Sequence, residues 1–396
     1  MNIMSGMPEQ SDATARTLEA MKHIVETGNS EWRSLPPHAY RSQEIFDLEK
    51  EKIFRPGWIL LGRPDMVPNA GDFVSIDVID EPLVMVRDKA GKLRVLSRVC
   101  RHRWAPVCDG AGNTSSFVCP YHAWAFNLDG SLRNAPGMED TPNFKPEEMG
   151  LFEVRHEIWQ GFVFINLDGK AQSLTERMAP IVDEIKEFRL SEWKLVRSRD
   201  YGECPWDWKV FMDNGECYHH IGAHKDTFEI DFPGLESWDS PNNGNYVLTW
   251  CRSRPTSVVK STAGEDVVSP LFSSDIMPGL TETQRLNLCL IYVFPNYFIN
   301  PWPDITYYVR MFPLGPGRIR MILDYLVPPH MEDGPELQKK LDELEVFVNK
   351  FNDEDTAVCT FVQRGVQSTK AIPAPLSRCE GLNRDFALWV SRQMTA

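Results

Sequence analysis

Apolar residues recur at helical spacing near the start of the chain, then alternate with polar ones from about residue 57 onward. The first pattern predicts helices over residues 15–26 and 42–53, the second opened by Ser42 as its cap, with Leu35-Pro36-Pro37 as an extended link between them. The alternation predicts strands over residues 73–78, 82–87 and 93–97, divided by Asp/Gly turns, and a closing strand over 161–167. Short strands at this spacing describe a small all-β domain, set at residues 56–168. Past Gly169 the pattern is mixed. Residues 174–188 and 208–219 read as helices, and 245–257, 286–300 and 304–327 as long strands with aromatic and aliphatic faces. Residues 336–368 read as one long helix, charged at first and more apolar later. The fold class is therefore α+β: a helical segment (1–55) packing with a larger mixed domain (169–396), and the β domain between them.

Composition narrows the functions. At 396 residues with 42% hydrophobic residues, the chain is long enough for two real cores. A net charge of −14 argues against nucleic acid or an anionic membrane as partner. The chain has no apolar run near the length of a transmembrane helix, and residues 1–14 lack the apolar stretch of a signal peptide. Nine cysteines, two of them used below, leave an odd seven, which is no disulfide framework and suits a reducing cytoplasm.

The chemistry concentrates in two short loops. Cys100-Arg101-His102 and Cys119-Pro120-Tyr121-His122 each offer one thiolate and one imidazole, with sixteen residues between His102 and Cys119. Two Cys and two His can hold a Rieske [2Fe–2S] cluster, in which histidines replace two thiolates on one iron and raise the potential. A Cys2His2 zinc site uses the same donors, but zinc fingers usually group Cys with Cys and His with His. Turn formers Pro106, Asp109, Gly110 and Gly112 follow the first loop, as a clamp from both sides requires.

These loops carry a resemblance. Val99-Cys-Arg-His-Arg-Trp-Ala-Pro-Val107 and Phe117-Val-Cys-Pro-Tyr-His-Ala-Trp-Ala-Phe-Asn-Leu-Asp-Gly130 resemble the Rieske domain of ring-hydroxylating non-haem iron oxygenases. The likeness extends upstream through Ile53-Phe-Arg-Pro-Gly-Trp58 and downstream to Val362-Gln-Arg-Gly-Val-Gln-Ser368. Trp104 departs from the pattern, standing where relatives often carry Gly. The resemblance implies a helix-grip catalytic domain, an antiparallel sheet around a long C-terminal helix, with a mononuclear Fe(II).

Such sites use two His and one carboxylate. Matching to the family motif puts the iron ligands at His219 and His224, and the carboxylate best at Asp355, with Asp353 and Glu354 as neighbours that a small shift would select. His219 and His224 lie about 140° apart on an ideal helix, so the helix must end or distort between them, and Gly222 is suitably placed. His220 reads as a packing or pocket residue, and Asp353–Asp355 reads alternatively as a charge cluster of a helix start. Glu216, three residues before His219, matches the family carboxylate (more often Asp) that links that ligand to a Rieske histidine of a neighbouring subunit, here His122. The segment before Glu216 is one residue short of the family pattern, so no role transfers to Asn214.

By this resemblance the chain is the terminal oxygenase of a homotrimer, given electrons by a flavin-dependent reductase directly or through a ferredoxin, and using O2 on a small organic substrate. An aromatic compound, hydroxylated or O-/N-demethylated, is the expectation; Glu216-Cys-Tyr-His219 also resembles oxygenases of quaternary amines, a likeness His220-Ile-Gly-Ala-His224 does not continue. A Rieske electron carrier and a zinc-stapled binding protein are the alternatives from other classes. Sequence alone does not decide the substrate, the reductase, the reaction type or the presence of a small β subunit.

Overall fold

The computed structural model describes residues 11–215, 220–254, 258–260, 266–268 and 276–396. The chain divides into two compact units, residues 55–175 and a discontinuous unit of 1–54 with 176–396.

Helix α1 (Asp12–Thr27) starts at Ser11, whose hydroxyl accepts from Thr14 N, and stops at Gly28 in the left-handed conformation (φ 60°). Helix α2 (Gln43–Glu49) is capped as expected, with Ser42 Oγ accepting from Ile45 N, and runs into a wide turn over Lys50–Phe54.

In the inserted unit, β1 (Ile59–Gly62) is followed by β2 (Asp72–Val78), β3 (Glu81–Arg87), β4 (Leu93–Ser97) and β5 (Ala111–Asn113). Strands β2 to β5 form an antiparallel sheet in the order β4-β3-β2-β5. Three short strands, β6 (Phe117–Val118), β7 (Ala125–Phe126) and β8 (Leu132–Asn134), make a second sheet. The pair β9 (Arg155–Trp159) and β10 (Phe162–Asn166) joins β1 in a third. Val84, Val86, Leu96, Phe117, Trp124 and Phe126 bury together with Cys100 and Cys119, so both thiols stand in one apolar core. The Asn166 amide donates to the carbonyls of Arg55, Pro56 and Gly57, stitching the two ends of this unit together.

Helix α3 (Leu174–Arg177) spans the boundary and α4 (Ala179–Ile185) follows in the other unit, where one helix over 174–188 was expected; Pro180, in the first turn of α4, marks the restart. Next come β11 (Lys194–Cys204), α5 (Trp208–Asp213), α6 (Phe228–Asp231), β12 (Ser237–Asp239) and β13 (Tyr246–Arg252). A backbone hairpin, β14 (Val258–Lys260) with β15 (Asp266–Val268), precedes α7 (Glu282–Leu286). The expected strand over 286–300 is two, β16 (Asn287–Val293) and β17 (Tyr297–Asn300), and that over 304–327 is also two, β18 (Thr306–Gly315) and β19 (Arg318–Val327). Phe294-Pro295-Asn296 and Gly315-Pro316-Gly317 make the reversals. A seven-stranded antiparallel sheet results, ordered β11-β19-β18-β17-β16-β13-β12.

Along this sheet lies α8 (Pro335–Gly365), the long helix the pattern predicts. Arg197 of β11 pairs with Asp342 at 2.8 Å, Tyr201 donates to Asn349 Oδ1 at 2.7 Å, and Tyr307 of β18 meets Phe351. Helix α9 (Gly381–Thr395) closes the unit against α1 and α5.

Candidate metal centres

The two Cys/His loops have matching backbones. Cys100 N donates to Ala105 O and Trp104 N to Cys100 O; Cys119 N donates to Trp124 O and Ala123 N to Cys119 O, all at 2.8–3.1 Å. In each loop the fourth residue after the cysteine is left-handed, Trp104 at φ 62° and Ala123 at φ 56°. That conformation explains why glycine suits position 104, since a side chain there meets its own backbone. Both thiols are buried, and burial raises the Cys100 thiol above its ordinary range, so a metal is what would hold it as thiolate. The His102 and His122 rings lie 4.6 Å apart, and His102 stacks on Trp124 at 4.9 Å. Trp104 and Tyr121 remain largely exposed at the same tip.

A second donor set forms in the discontinuous unit. His220, His224 and Asp355 bring one ligand atom each within 4.8 Å of one another. A turn at 221–223, with His224 N donating to His220 O at 2.9 Å, carries the chain from one histidine to the other. Asp355 Oδ1 lies 3.0 Å from His224 Nε2 and 3.7 Å from His220 Nδ1. Burial works to raise the Asp355 carboxyl, but the two imidazoles outweigh it and hold it at about 2. Burial likewise opposes the charged form of His224, and Asp355 with Glu354 overcomes it, raising that imidazole above its ordinary value.

The placement of Asp355 follows from the helix. Leu337, Leu341, Leu344, Val348, Phe351 and Cys359 are the buried stripe of α8, and Asp355 falls on it, four residues from both Phe351 and Cys359. Asp353 points to solvent, and Glu354 takes the other ring nitrogen of His224. His224 also abuts Phe228, which continues through Phe351, Tyr307 and Phe298 to Tyr292 as a run of buried aromatic contacts. A cavity of about 300 Å³ opens beside His220, lined by Val210, Asp213, Val358, Cys359 and Val362 among others. Two imidazoles and a carboxylate, one side dry and one open, fit a 2-His-1-carboxylate ferrous centre.

Comparison with known proteins finds two family domains along the chain. The model of the ring hydroxylating alpha subunit, catalytic domain, matches residues 190–396, and the Rieske [2Fe-2S] domain model matches 57–145. The chain belongs to the ring-hydroxylating oxygenase alpha subunits.

This alpha subunit is similar to the carnitine monooxygenase oxygenase subunit of Escherichia coli K12, at 34% identity over 230 residues, 56% of this chain; the match spans only 60% of that relative's length. Longer matches are the choline monooxygenase of Arabidopsis thaliana (29% identity, 85% of this chain, 77% of the relative) and the glycine betaine monooxygenase oxygenase subunit of Chromohalobacter salexigens (26%, 91% and 86%). Among solved structures, naphthalene 1,2-dioxygenase from Rhodococcus sp. superposes with a TM-score of 0.80 at 22% identity, covering 97% of this chain and 99% of that one. A quaternary ammonium Rieske monooxygenase gives 0.75 at 23%, with 92% and 95% covered. These two likenesses establish the fold: a Rieske domain with a helix-grip catalytic domain.

In this alpha subunit the sequence expectations meet the structure unevenly. Cys100, His102, Cys119 and His122 stand on the two matching loops, and His224 and Asp355 stand together. Glu216 and His219 lie outside the described residues. His220, read from sequence as a packing or pocket residue, lines the cavity and also brings a ring nitrogen to within 3.7 Å of the carboxylate. Its signal was legible, since two residues four apart share a side of a turn as they share a helix face. Glu354 and Thr227, which sit behind His224, were not singled out for that place.

Proposed function

We propose that this alpha subunit is the terminal oxygenase of a Rieske system that oxidises a small quaternary amine. The observation that carries the reading is the pairing, on one chain, of a Cys/His double loop with a His/His/Asp centre. Cys100, His102, Cys119 and His122 hold the [2Fe–2S] cluster. His224 and Asp355 hold the mononuclear iron, with the second imidazole from the His219–His220 pair, His219 by resemblance to the family motif. When bound, the cluster supplies single electrons and the iron a site where O2 reacts with substrate.

The chain's own groups set the conditions for that chemistry. Asp355 stays ionised at neutral pH, so it offers a full negative charge to a cation. The aromatic run beginning at Phe228 keeps water from the inner side of the centre, and aromatic faces attract a quaternary ammonium, which has no proton to donate. Three curated relatives act, by their names, on carnitine, choline and glycine betaine, and Glu216-Cys-Tyr-His219 has the form of such enzymes. This favours a quaternary amine over the aromatic substrate expected from sequence. The reading includes a flavin-dependent reductase, directly or through a ferredoxin, a homotrimer in which Glu216 connects the iron to the partner's cluster, and a cytoplasmic setting.

The test is a single turnover of the chemically reduced protein with labelled O2, offered carnitine, choline and betaines beside aryl ethers and aromatic acids. One labelled oxygen per turnover of a quaternary amine, read in the alcohol formed or in the aldehyde trapped as the C–N bond breaks, is the expected result. Product from the aromatic compounds alone would overturn the substrate class, and labelled product from none of them the oxygenase reading.

A further inference from the structure

His224 is held from both sides. Its Nε2 faces Asp355 Oδ1 at 3.0 Å, and its Nδ1 lies 2.8 Å from Glu354 Oε2. The same Glu354 oxygen accepts from Thr227 Oγ1 at 2.5 Å, and the other faces Lys350 Nζ at 3.7 Å. The imidazole is 1% exposed and the Glu354 side chain 16%. The two nitrogens of an imidazole point away from each other, so a metal on the Asp355 side of the ring is out of reach of Glu354 at these contacts. Adjacent carboxylates on α8 thus serve opposite sides of one ring.

We infer that Glu354 is a positioning residue for the mononuclear centre: it accepts the Nδ1 proton of His224, fixes the tautomer that leaves the Nε2 lone pair for the metal, and is itself fixed by Thr227. This rests on the proposed His224/Asp355 centre and adds to it a residue that touches neither metal nor substrate. A carboxylate behind a ligating histidine sets ring orientation and raises ligand basicity, and its loss typically weakens metal binding about 10–100-fold. Three features favour a built arrangement over a surface pairing: the burial of His224, the short contact, and a second donor on the same oxygen.

The test compares the full chain, cluster loaded, as wild type, E354A, E354Q, T227V and D355A. Fe(II) affinity is measured by chelator competition, nitric oxide bound to the ferrous centre reports its symmetry by EPR, and visible absorbance follows the cluster. E354A should weaken Fe(II) binding about 10–100-fold and change the nitrosyl signal, with cluster absorbance and melting temperature close to wild type. E354Q, which keeps an acceptor oxygen for Nδ1, should recover most of the affinity, and T227V should fall between wild type and E354A. Should E354A fail to fold, T227V and E354Q carry the comparison.

Unchanged affinity and nitrosyl signal in E354A, or in T227V where E354A does not fold, with D355A free of iron, would overturn the positioning role. Iron loss in E354A as complete as in D355A would make Glu354 a ligand and overturn it as well. Wild-type affinity in D355A would instead remove the centre on which the inference stands, and so marks the failure of the underlying reading.

Discussion

At the scale of single residues, the two loops and the histidine pair give the sharpest expectations. Trp104 holds a left-handed backbone that costs an L-residue about 1–2 kcal/mol, and three quarters of its surface is exposed, so little packing repays the strain. Trp104→Gly should raise the temperature at which cluster absorbance is lost, with the gain held to about 1 kcal/mol by glycine's freer unfolded chain. A lower temperature would mean that the indole supports the cluster. The second imidazole of the proposed iron centre is His219 by resemblance to the family motif or His220 by its place beside Asp355. Alanine at 219 should strip the mononuclear iron and alanine at 220 should leave most of it, read by iron content against cluster absorbance; the reverse would move the ligand to His220. Asp355 was reached by resemblance to the family motif, with Asp353 and Glu354 left open; in the structure it is the one of the three on the buried stripe of α8. His220 was less legible, because its place depends on a turn that α5, ending at Asp213, leaves room for.

At the scale of elements, α5 is fixed by buried charge. Lys209, fully buried, pairs with Glu49 of α2 at 2.7 Å and with Asp207 at 2.6 Å, and Gln363 of α8 accepts from Asp207 N. Removing the cation strands two buried acids, so Lys209→Met should destabilise the protein by about 3–5 kcal/mol, measured by denaturant unfolding. A loss below 1 kcal/mol would show the cluster to be solvated.

Asp213, at the end of α5, accepts from the Tyr40 hydroxyl at 2.5 Å, and burial pushes its carboxyl up to about 7. Folded Asp213 therefore binds a proton between about pH 4 and 7 that the unfolded chain does not, and its contribution to stability falls as pH rises through that window. Asp213→Asn, which keeps an acceptor for Tyr40, should flatten the decline in melting temperature between pH 5.5 and 8; an unchanged slope would count against this. Strands β2 to β4 and β10 were legible from alternation, and α8 from its length and stripe. Strand β11 was not, because as an edge strand of charged and half-buried residues it lacks a clean apolar face. Helix α9 was overlooked although Leu382, Phe386, Trp389 and Val390 keep helical spacing.

At the scale of the whole molecule, the unit that carries the His/His/Asp centre is interrupted by the Rieske unit, and its own ends meet. Helix α1 packs on α9, and the Asn29 amide donates to Arg384 O across 355 residues of sequence. Deleting residues 381–396 should therefore expose the faces of both α1 and α5, and proteolysis should cut residues 11–54 first while the cluster's absorbance persists. Loss of the cluster together with that segment would mean that the two units unfold as one.

The Asn166 stitch closes the inserted unit on itself. During synthesis that unit has all its partners as soon as residue 175 is out of the ribosome, whereas α1 waits for α9, more than two hundred residues later. Iron–sulfur loading can thus begin on a nascent chain whose proposed iron centre does not yet exist. The interval between the two is at least the time needed to translate from residue 175 to Asp355, the last donor of the proposed iron centre.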